Sequence, residues 1–455
     1  MSLWTVFRVL QSARAHERSS RWTRAQLESH QAQRLLELRR FVQTNSPFYR
    51  RFHAGSESRP LGELPILSKT MLMENFDELV TDRTLKLAAL EEYLARQADD
   101  TPLFRRRFTV LSTSGSTGQR GIFVFDRREW TRALGAMLRP ILSWQQSGGQ
   151  RAARIATVMS RVPWHYSARA VTTLSSRLIP PTLRIDAATP LEEMIRKLND
   201  WQPDALTCYP SVLRELSEAQ IAGRLRISLR HINTSAEVLT DSVRSGVSEA
   251  WGSRVYNTYG ATEYAPIASE CASGNLHLFE DGAIIEVVDA SGRPVPDGEP
   301  GERVLLTVLA RRVQPLIRYE LSDVLRVRAA GCDCGRPFRI VEAIEGRIED
   351  VLVFERSGGG EVAIHPNLFH QVLEAVPATS WQVIQYTDAL VVNLVGLRDE
   401  PSRAAISTNL KRALESLGAS VPPLLLVRMS PVERGATGKA PLIWRRSDTY
   451  SQPTN

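Results

Sequence analysis

A run of small hydroxyl-bearing residues and glycines, LSTSGSTGQRGIFVF, occupies residues 111–125 between two apolar stretches. Backbone N–H groups of such a loop can approach phosphate oxygens closely, and the Ser and Thr hydroxyls supply further donors. The loop lacks the G-x-x-x-x-G-K-[ST] pattern of a Walker A motif. Composition alone fits a plain Ser/Gly/Thr loop equally well. Whether this loop binds phosphate therefore depends on the motifs that follow it along the chain.

Three later strings carry charged side chains that suit nucleotide chemistry. NTYGATEYAP holds Glu263 after a predicted strand, and a carboxylate in that position suits Mg²⁺ beside ATP phosphates. PLIRYELSDVLRV holds Asp323, which can accept hydrogen bonds from two ribose hydroxyls. ERGATGKAPLI holds Lys439 on a Gly-flanked loop that can swing over a site. Taken singly, each has an ordinary alternative: a surface Glu, a strand-end Asp and a solvated Lys.

Three of the four cysteines and one histidine form a possible metal site. Cys271 and His277 have five residues between them, and Cys332 and Cys334 form a C-x-C pair that 54 residues separate from the histidine. Three thiols and an imidazole complete the tetrahedral ligand set of a closed structural zinc site. Free thiols with a surface histidine remain the alternative. Cys208 follows a predicted strand, and we expect it to pack in the core as a small hydrophobe.

The chain has 455 residues, and one hydrophobic core stops growing at roughly 250–300 residues, so we expect two domains of unequal size. The order of predicted elements indicates an α/β protein. Strands such as IATVM and ALTCY alternate with helices of about ten residues, which predicts a parallel sheet covered by helices. After Gly260, strands separated by Gly/Pro turns predict a small antiparallel barrel or sheet. We predict a large domain over residues 1–345 and a small α+β domain over residues 346–455.

Composition excludes several classes of protein. Apolar residues are 43% and charged residues 24%, which is ordinary for a globular chain, and no stretch approaches the ~20 apolar residues of a membrane span. The N-terminal apolar run is short and broken by Arg8, so a signal peptide is not predicted and a cytoplasmic location is expected. The net charge of +7 is interpreted mainly as a solvated basic surface, with attraction of anionic ligands or nucleic acid as alternatives.

The motif series resembles that of the adenylate-forming superfamily, which includes acyl-CoA synthetases, luciferases and peptide-synthetase adenylation domains. STSGSTG resembles its phosphate loop, although Gln119 and Arg120 stand where the family usually has Lys. YGATE matches the family's Y-G-x-T-E motif, and the terminal Gly-Lys matches its catalytic-lysine motif. The resemblance implies these nucleotide-binding residues: Ser112, Thr113, Ser114, Gly115, Ser116, Thr117, Gly118, Ser235, Ala236, Glu237, Tyr259, Gly260, Ala261, Asp323 and Arg347.

The resemblance also assigns roles in catalysis and motion. Thr262 is expected to contact the nucleotide phosphate, Glu263 to bind magnesium, and Lys439 to neutralise charge between the carboxylate and the α-phosphate. Glu349, in GRIED, occupies the position of the interdomain hinge, where the family usually has Asp.

Further strings narrow the resemblance to the phenylacetate–CoA ligase branch, which also includes coenzyme F390 synthetase-like and capsular-polysaccharide-operon proteins. They are SPFYRRF, LPILSKTMLMENFDELV, QPDALTCYPSVL and C-x-C-G-R-P-F. Some members of this branch bind zinc through a similar Cys/His set, which supports a structural Zn²⁺ at Cys271, His277, Cys332 and Cys334.

The resemblance implies ATP-dependent adenylation of a carboxylic acid, of aryl or arylacetic type, followed by transfer to a thiol. Coenzyme A is the expected cosubstrate, and no membrane or nucleic-acid partner is expected. Three alternatives stay open: transfer to an amine or a carrier protein, nucleotide binding without turnover, and a zinc-stabilised basic protein that binds nucleic acid.

Overall fold

The computed structural model describes most of the chain, with gaps. The described residues are 3–96, 102–113, 120–141, 153–174, 180–321, 323–347, 352–356, 358–364, 366–373, 376, 378, 380–395, 403–421, 425–429, 432–434 and 440–451.

The chain begins with helices. A capping box starts the second helix: the Thr23 hydroxyl accepts from the Gln26 amide and the Gln26 side chain accepts from the Thr23 amide. That helix ends at Asn45, two residues before Pro47. The helices of this part are α1 (Leu3–Ser19), α2 (Arg24–Asn45), α3 (Pro47–Phe52), α4 (Lys69–Glu74), α5 (Phe76–Leu79) and α6 (Leu87–Ala95), with a 3-10 turn at Leu61–Glu63.

A buried β-hairpin follows, and its last strand leads into α7 (Arg127–Met137). Strands β1 (Thr109–Ser112) and β2 (Ile122–Phe125) pair antiparallel, with Ser112 opposite Ile122. Asp126 caps α7 by accepting from the Glu129 amide, and Glu129 completes the capping box. The phosphate-loop string therefore connects the two strands of a hairpin.

The central layer is a nine-stranded mixed sheet. Its helices are α8 (Tyr166–Leu174), α9 (Leu191–Trp201), α10 (Pro210–Ile221) and α11 (Asp241–Trp251). The strands from here to residue 347 are β3 (Ile155–Met159), β4 (Thr182–Asp186), β5 (Ala205–Cys208), β6 (His231–Ser235), β7 (Val255–Tyr259), β8 (Ala268–Glu270), β9 (Leu276–Leu278), β10 (Ala283–Val288), β11 (Arg303–Val308), β12 (Tyr319–Leu321), β13 (Asp323–Arg328) and β14 (Ile340–Arg347).

The large sheet has the strand order β13-β14-β9-β8-β7-β6-β5-β3-β4. Strands β3 to β7 are parallel and alternate with helices, which confirms the predicted α/β organisation. The predicted antiparallel part is also present, as the sheet β10-β11-β12. Strand β13 joins the large sheet instead of this small one, because it pairs with β14 and β14 pairs with β9.

The C-terminal segment is a separate α+β unit. Its elements are β15 (Leu352–Glu355), β16 (Glu361–Ile364), α12 (Pro366–Leu373), β17 (Ser380–Gln385), β18 (Leu390–Val395), α13 (Arg403–Ser416), β19 (Leu425–Met429) and β20 (Ile443–Arg445). The four-stranded sheet β19-β18-β17-β20 packs in its own hydrophobic cluster, which includes Trp381, Leu410 and Ile443. Among the described helices, none combines the length and the apolar character that a bilayer crossing needs.

Candidate active site

Thr113 and Gly121, at the base of the phosphate loop, are joined by hydrogen bonds at the end of the β1–β2 hairpin. The Thr113 amide donates to the Gly121 carbonyl at 3.0 Å, and the Gly121 amide donates to the Thr113 hydroxyl at 2.9 Å. Ser112 is buried, and its hydroxyl accepts from Nε of Arg120 at 2.8 Å. The central loop residues lie outside the described part of the chain; they are Ser114, Gly115, Ser116, Thr117, Gly118 and Gln119.

Arg120 stands at the mouth of this loop. Its guanidinium carbon lies 4.7 Å from the centroid of the Trp164 ring, a cation–π contact that fixes its position. Burial lowers the pKa of Arg120. The positive charge that Arg120 brings therefore lies beside Ser112, at the base of the hairpin.

A second positive charge reaches the loop from α4. Lys69 is the first residue of that helix, and a Cβ built on Gly121 would lie 3.1 Å from Cε of Lys69. The charge of Lys69 also acts on the Glu263 carboxylate. Lys69 is not among the site residues predicted from the sequence. Its signal lies in LPILSKTML, where Ser68 caps the helix by accepting from the Met71 amide and Lys69 follows as the first helical residue.

The YGATE string forms the turn after β7, at the carboxyl edge of the parallel strands. The Ala261 and Tyr264 backbones exchange two hydrogen bonds of 3.2 Å, which place Thr262 and Glu263 within the turn. A Cβ on Gly260 would lie 3.0 Å from Cβ of Ala265, so a larger residue there would require Ala265 to shift. Ligands of α/β sheets bind outside this edge of the strands.

Glu263 is a buried carboxylate held from two sides. The Tyr319 hydroxyl donates to its Oε1 at 3.0 Å, and Arg311 donates to its backbone carbonyl at 2.7 Å. Burial raises the pKa of the Glu263 carboxyl, although the hydrogen bonds and the charge of Lys69 oppose this shift. A divalent cation beside the carboxylate would compensate the charge that burial disfavours, so Glu263 fits a magnesium ligand.

Tyr259 and Asp323 meet beside this turn. The Tyr259 hydroxyl donates to Oδ2 of Asp323 at 2.6 Å, and both side chains are buried. Asp323 begins β13, and its backbone lies opposite that of Arg347 at the end of β14. The two strands thus bring two predicted site residues into register, while Glu349 lies outside the described residues.

Ser235 ends β6, and Ala236 and Glu237 follow it at the same edge of the sheet. Ser235 pairs with Thr258 of β7, and Ala236 has a left-handed backbone with a φ of 70°. The Glu237 carboxylate accepts from the Ser211 amide at 3.0 Å and from the Ala440 amide at 2.9 Å. Ala440 directly follows Lys439, which itself lies outside the described residues.

The other described flank of the Lys439 segment is also held on the large part of the molecule. Arg434 donates to Oε1 of Glu215 at 2.7 Å and to the Ser211 hydroxyl at 3.2 Å. Glu215 and Ser211 belong to α10, whose first turn lies after β5 at the carboxyl edge of the sheet. Arg434 and Ala440, the described residues on either side of Lys439 in the sequence, therefore both contact the large part of the molecule at this edge.

The Cys/His set predicted from spacing comes together in space. The ligand atoms of Cys271, His277, Cys332 and Cys334 all lie within 4.8 Å of one another. Sγ of Cys271 is 3.7 Å from Sγ of Cys332, and Sγ of Cys334 is 3.3 Å from Nε2 of His277. These separations approach the ~3.8 Å edge of a tetrahedron with ~2.3 Å Zn–S bonds, so the residues fit a zinc ion.

The surroundings of this cluster also suit a metal. Nδ1 of His277 lies 3.3 Å from the Phe338 carbonyl, and a hydrogen bond there leaves Nε2 as the ligand atom. The Asn275 amide group donates to Sγ of Cys332 at 3.1 Å, which favours a thiolate. Cys208, in contrast, lies buried in the core of the large sheet, as predicted, and burial raises its pKa.

Comparisons with known proteins indicate a family and a fold. The model of the AMP-binding enzyme family matches residues 66–307, which is more than half of the chain. A phenylacetate-coenzyme A ligase of Thermus thermophilus is 30% identical over 217 residues, 46% of this chain and 46% of the relative. Protein CapK of Staphylococcus aureus is 22% identical over 310 residues, 64% of this chain and 61% of the relative. The chain thus spans about half the length of the curated relatives it matches.

A solved structure shows the same fold. A 2-hydroxyisobutyryl-CoA ligase in its postadenylation state, in complex with 2-HIB-AMP, superposes with a TM-score of 0.71 at 19% identity. The match covers 95% of this chain and 92% of that structure, so it includes both the large sheet and the C-terminal unit.

Proposed function

The chain belongs to the AMP-binding enzyme family, and from that premise we propose that it activates a carboxylic acid with ATP and passes the acyl group to coenzyme A. In the first half-reaction a carboxylate oxygen attacks the α-phosphate, giving acyl-AMP and pyrophosphate. In the second, the thiol sulfur attacks the acyl carbon and AMP leaves. The observation that carries the proposal is the contact of Ala440 with Glu237, since it brings the residue that follows Lys439 to the edge that bears Glu263 and Asp323.

The first half-reaction brings two anions together, so its barrier is largely electrostatic. We assign to Lys439 the role of neutralising the negative charge between the carboxylate and the α-phosphate. Lys69 and Arg120 supply positive charge at the loop base, where the family usually has one lysine after the last glycine of the loop. The loop residues from Thr113 to Gly118 and Thr262 bind phosphate oxygens in this scheme.

Magnesium and the nucleoside complete the site. Glu263 would hold Mg²⁺, which neutralises phosphate charge when bound. Asp323, oriented by the Tyr259 hydroxyl, accepts hydrogen bonds from the ribose. Ser235, Ala236, Gly260 and Ala261 provide backbone beside the base, and Arg347 lies next to Asp323 in the β13–β14 register.

We further propose two domains, residues 1–345 and 346–455, that turn about the 346–350 segment containing Glu349. The C-terminal unit has its own hydrophobic cluster, so it can move as one body. The Ala440–Glu237 and Arg434–Glu215 contacts define the orientation for adenylation. Their loss would withdraw Lys439 and admit the thiol.

A structural zinc ion bound by Cys271, His277, Cys332 and Cys334 is part of the proposal. It would join the turn between β8 and β9 to the segment before β14, at the end of β8 away from the YGATE turn, and thereby hold β14 against β9. Zinc in a closed four-ligand set stabilises folding and takes no part in the acyl transfer.

An aryl or arylacetic acid is the proposed substrate class, supported by the similarity to a phenylacetate-coenzyme A ligase. ATP–pyrophosphate exchange over a panel of aromatic and aliphatic acids tests the first half-reaction. Mass analysis of products formed with coenzyme A, an amine or a carrier protein then tests the acceptor. Absence of exchange with every acid would overturn the proposal.

A further inference from the structure

A half-open cavity of about 670 Å³ lies between α1, α2, α7 and the turn at residues 310–312. Its size is in the range of small-molecule sites. The cationic part of its lining consists of Arg8, Arg34, Arg128, Arg132 and Arg312. The carboxylates in the lining belong to Asp126 and Glu129.

This cavity is distinct from the proposed nucleotide site. The base of the phosphate loop is at Thr113 and Gly121, whereas the cavity begins at Asp126, beyond the other end of β2. Four extended residues at ~3.3 Å each separate the two by about 13 Å. Ligands bound at the two places therefore contact different side chains.

The two carboxylates of the lining already accept hydrogen bonds from backbone amides. Oδ1 of Asp126 accepts from the Glu129 amide at 2.8 Å, and Oε1 of Glu129 accepts from the amides of Arg312 and Val313 at 2.5 and 3.0 Å. Burial raises the pKa of the Glu129 carboxyl, which favours its neutral form. Neither group neutralises the arginines fully.

The guanidinium groups have few anionic partners of their own. Within the described residues, Arg34 alone of the five forms an ion pair with a carboxylate, that of Glu37 at 2.7 Å. Arg8 instead lies 5.1 Å from the Trp4 ring centroid. The Arg312 guanidinium donates to the carbonyls of Leu309 and Arg311.

Mutual repulsion is the consequence of this arrangement. Burial, followed by the charge of Arg34, lowers the pKa of both Arg132 and Arg312. A bound anion would relieve this repulsion and, at the partly buried Arg312, the cost of burying a charge, while Arg132 lies at the exposed rim of the lining. The planar guanidinium fork matches phosphate oxygens in bidentate geometry, which makes phosphate the best complement.

We propose that this arginine cavity binds a small polyanion that carries two or more phosphate groups. Several guanidinium groups around one space favour a ligand with several anionic centres over a single small anion. The cavity stands independently of the proposed adenylation, because it shares no side chain with the proposed nucleotide site.

Calorimetric titration of the full chain with inorganic tripolyphosphate tests the proposal, with α,β-methylene-ATP and magnesium present in excess to occupy the nucleotide site. One equivalent of tripolyphosphate should still bind. Arg132→Gln should weaken this binding at least tenfold. Arg127→Gln is the matched control from the same helix, because Arg127 is exposed and donates to the Arg106 carbonyl instead of lining the cavity.

Arg128→Gln provides a second variant at an exposed position of the lining, so a folding defect in Arg132→Gln would not leave the proposal without a test. Three results would overturn it: no tripolyphosphate binding beyond the nucleotide site, equal affinities of the Arg128 and Arg127 variants, or displacement by sulfate at the same concentration. Each result is a binding measurement that does not depend on turnover. Failure of this proposal can therefore be distinguished from failure of the adenylation proposal.

Discussion

The backbone amide of Ala440 donates a 2.9 Å hydrogen bond to Oε1 of Glu237, and the Ser211 amide donates to Oε2 of the same carboxylate at 3.0 Å. Glu237 therefore joins the C-terminal unit to the first turn of α10. The amides at a helix N-terminus stabilise a carboxylate, which favours this contact of Glu237 with α10. Its contact fixes the residue next to Lys439.

Lys439→Ala should lower acyl-AMP formation by about 10²-fold or more, since it removes a charge that acts where the two anions meet. Thioester formation from supplied acyl-AMP should persist, because the lysine is withdrawn in that half-reaction. Pyrophosphate exchange and thioester assays measure the two steps separately. Loss of both steps would contradict the domain rotation.

Glu237→Ala should lower the same first step by about tenfold, by releasing Ala440 without removing Lys439. Glu192→Ala is the control, since Glu192 is an exposed residue of α9 that pairs with Arg224. Pyrophosphate exchange and thioester formation are again measured separately. Equal exchange rates in the two variants would show that the Ala440 contact does not position the lysine.

Glu263→Gln should raise thermal stability by a few degrees at pH 7.5 without magnesium, while it lowers pyrophosphate exchange. Burial raises the pKa of this carboxyl, so the folded state binds the proton more tightly than the unfolded state. Stability from this group is present below the unfolded-state pKa and is lost as pH rises through the folded-state pKa. Glutamine stays neutral and avoids that loss.

The gain from Glu263→Gln should shrink as the pH is lowered toward 4, where the wild-type carboxyl also becomes neutral in both states. Melting curves across this pH range measure the effect. Unchanged magnesium dependence of exchange in the variant would remove the metal role of Glu263.

Cys332→Ser should release zinc and lower the melting temperature, because a closed site needs all four ligands to hold the metal. Elemental analysis of gently purified protein should give one zinc per wild-type chain. Cys208→Ala should retain the metal, since Cys208 packs in the core away from the cluster. A metal-free wild-type protein would refute the site.

Lys69→Met should raise KM for ATP by about tenfold, because its charge lies at the phosphate-loop base and acts on Glu263. Lys86→Met is the control; Lys86 is half exposed and pairs with Asp77 at 3.2 Å. Steady-state exchange kinetics compare the two. If both variants keep the wild-type KM, Lys69 has no part in nucleotide binding.

Local sequence determined most of the elements. The Thr23–Gln26 capping box and the start of α11 at Asp241 depend on neighbouring residues. The alternation of strands with ten-residue helices is predicted from the sequence, and the structure confirms it. Motif strings also indicate Glu263 and Asp323 as candidate site residues, because each carboxylate stands beside a Gly turn or at a strand end. Spacing alone suggested Cys271, His277, Cys332 and Cys334 as one set.

Only the tertiary structure decided which of these residues meet. The Tyr259–Asp323 hydrogen bond, the position of Lys69 against Gly121 and the joining of β13 to the large sheet all connect distant parts of the chain. The arginine cavity likewise draws its charges from α1, α2, α7 and the 310–312 turn. Such contacts depend on how sheets and helices pack. Packing between residues far apart in the sequence produces no local pattern from which it could be predicted.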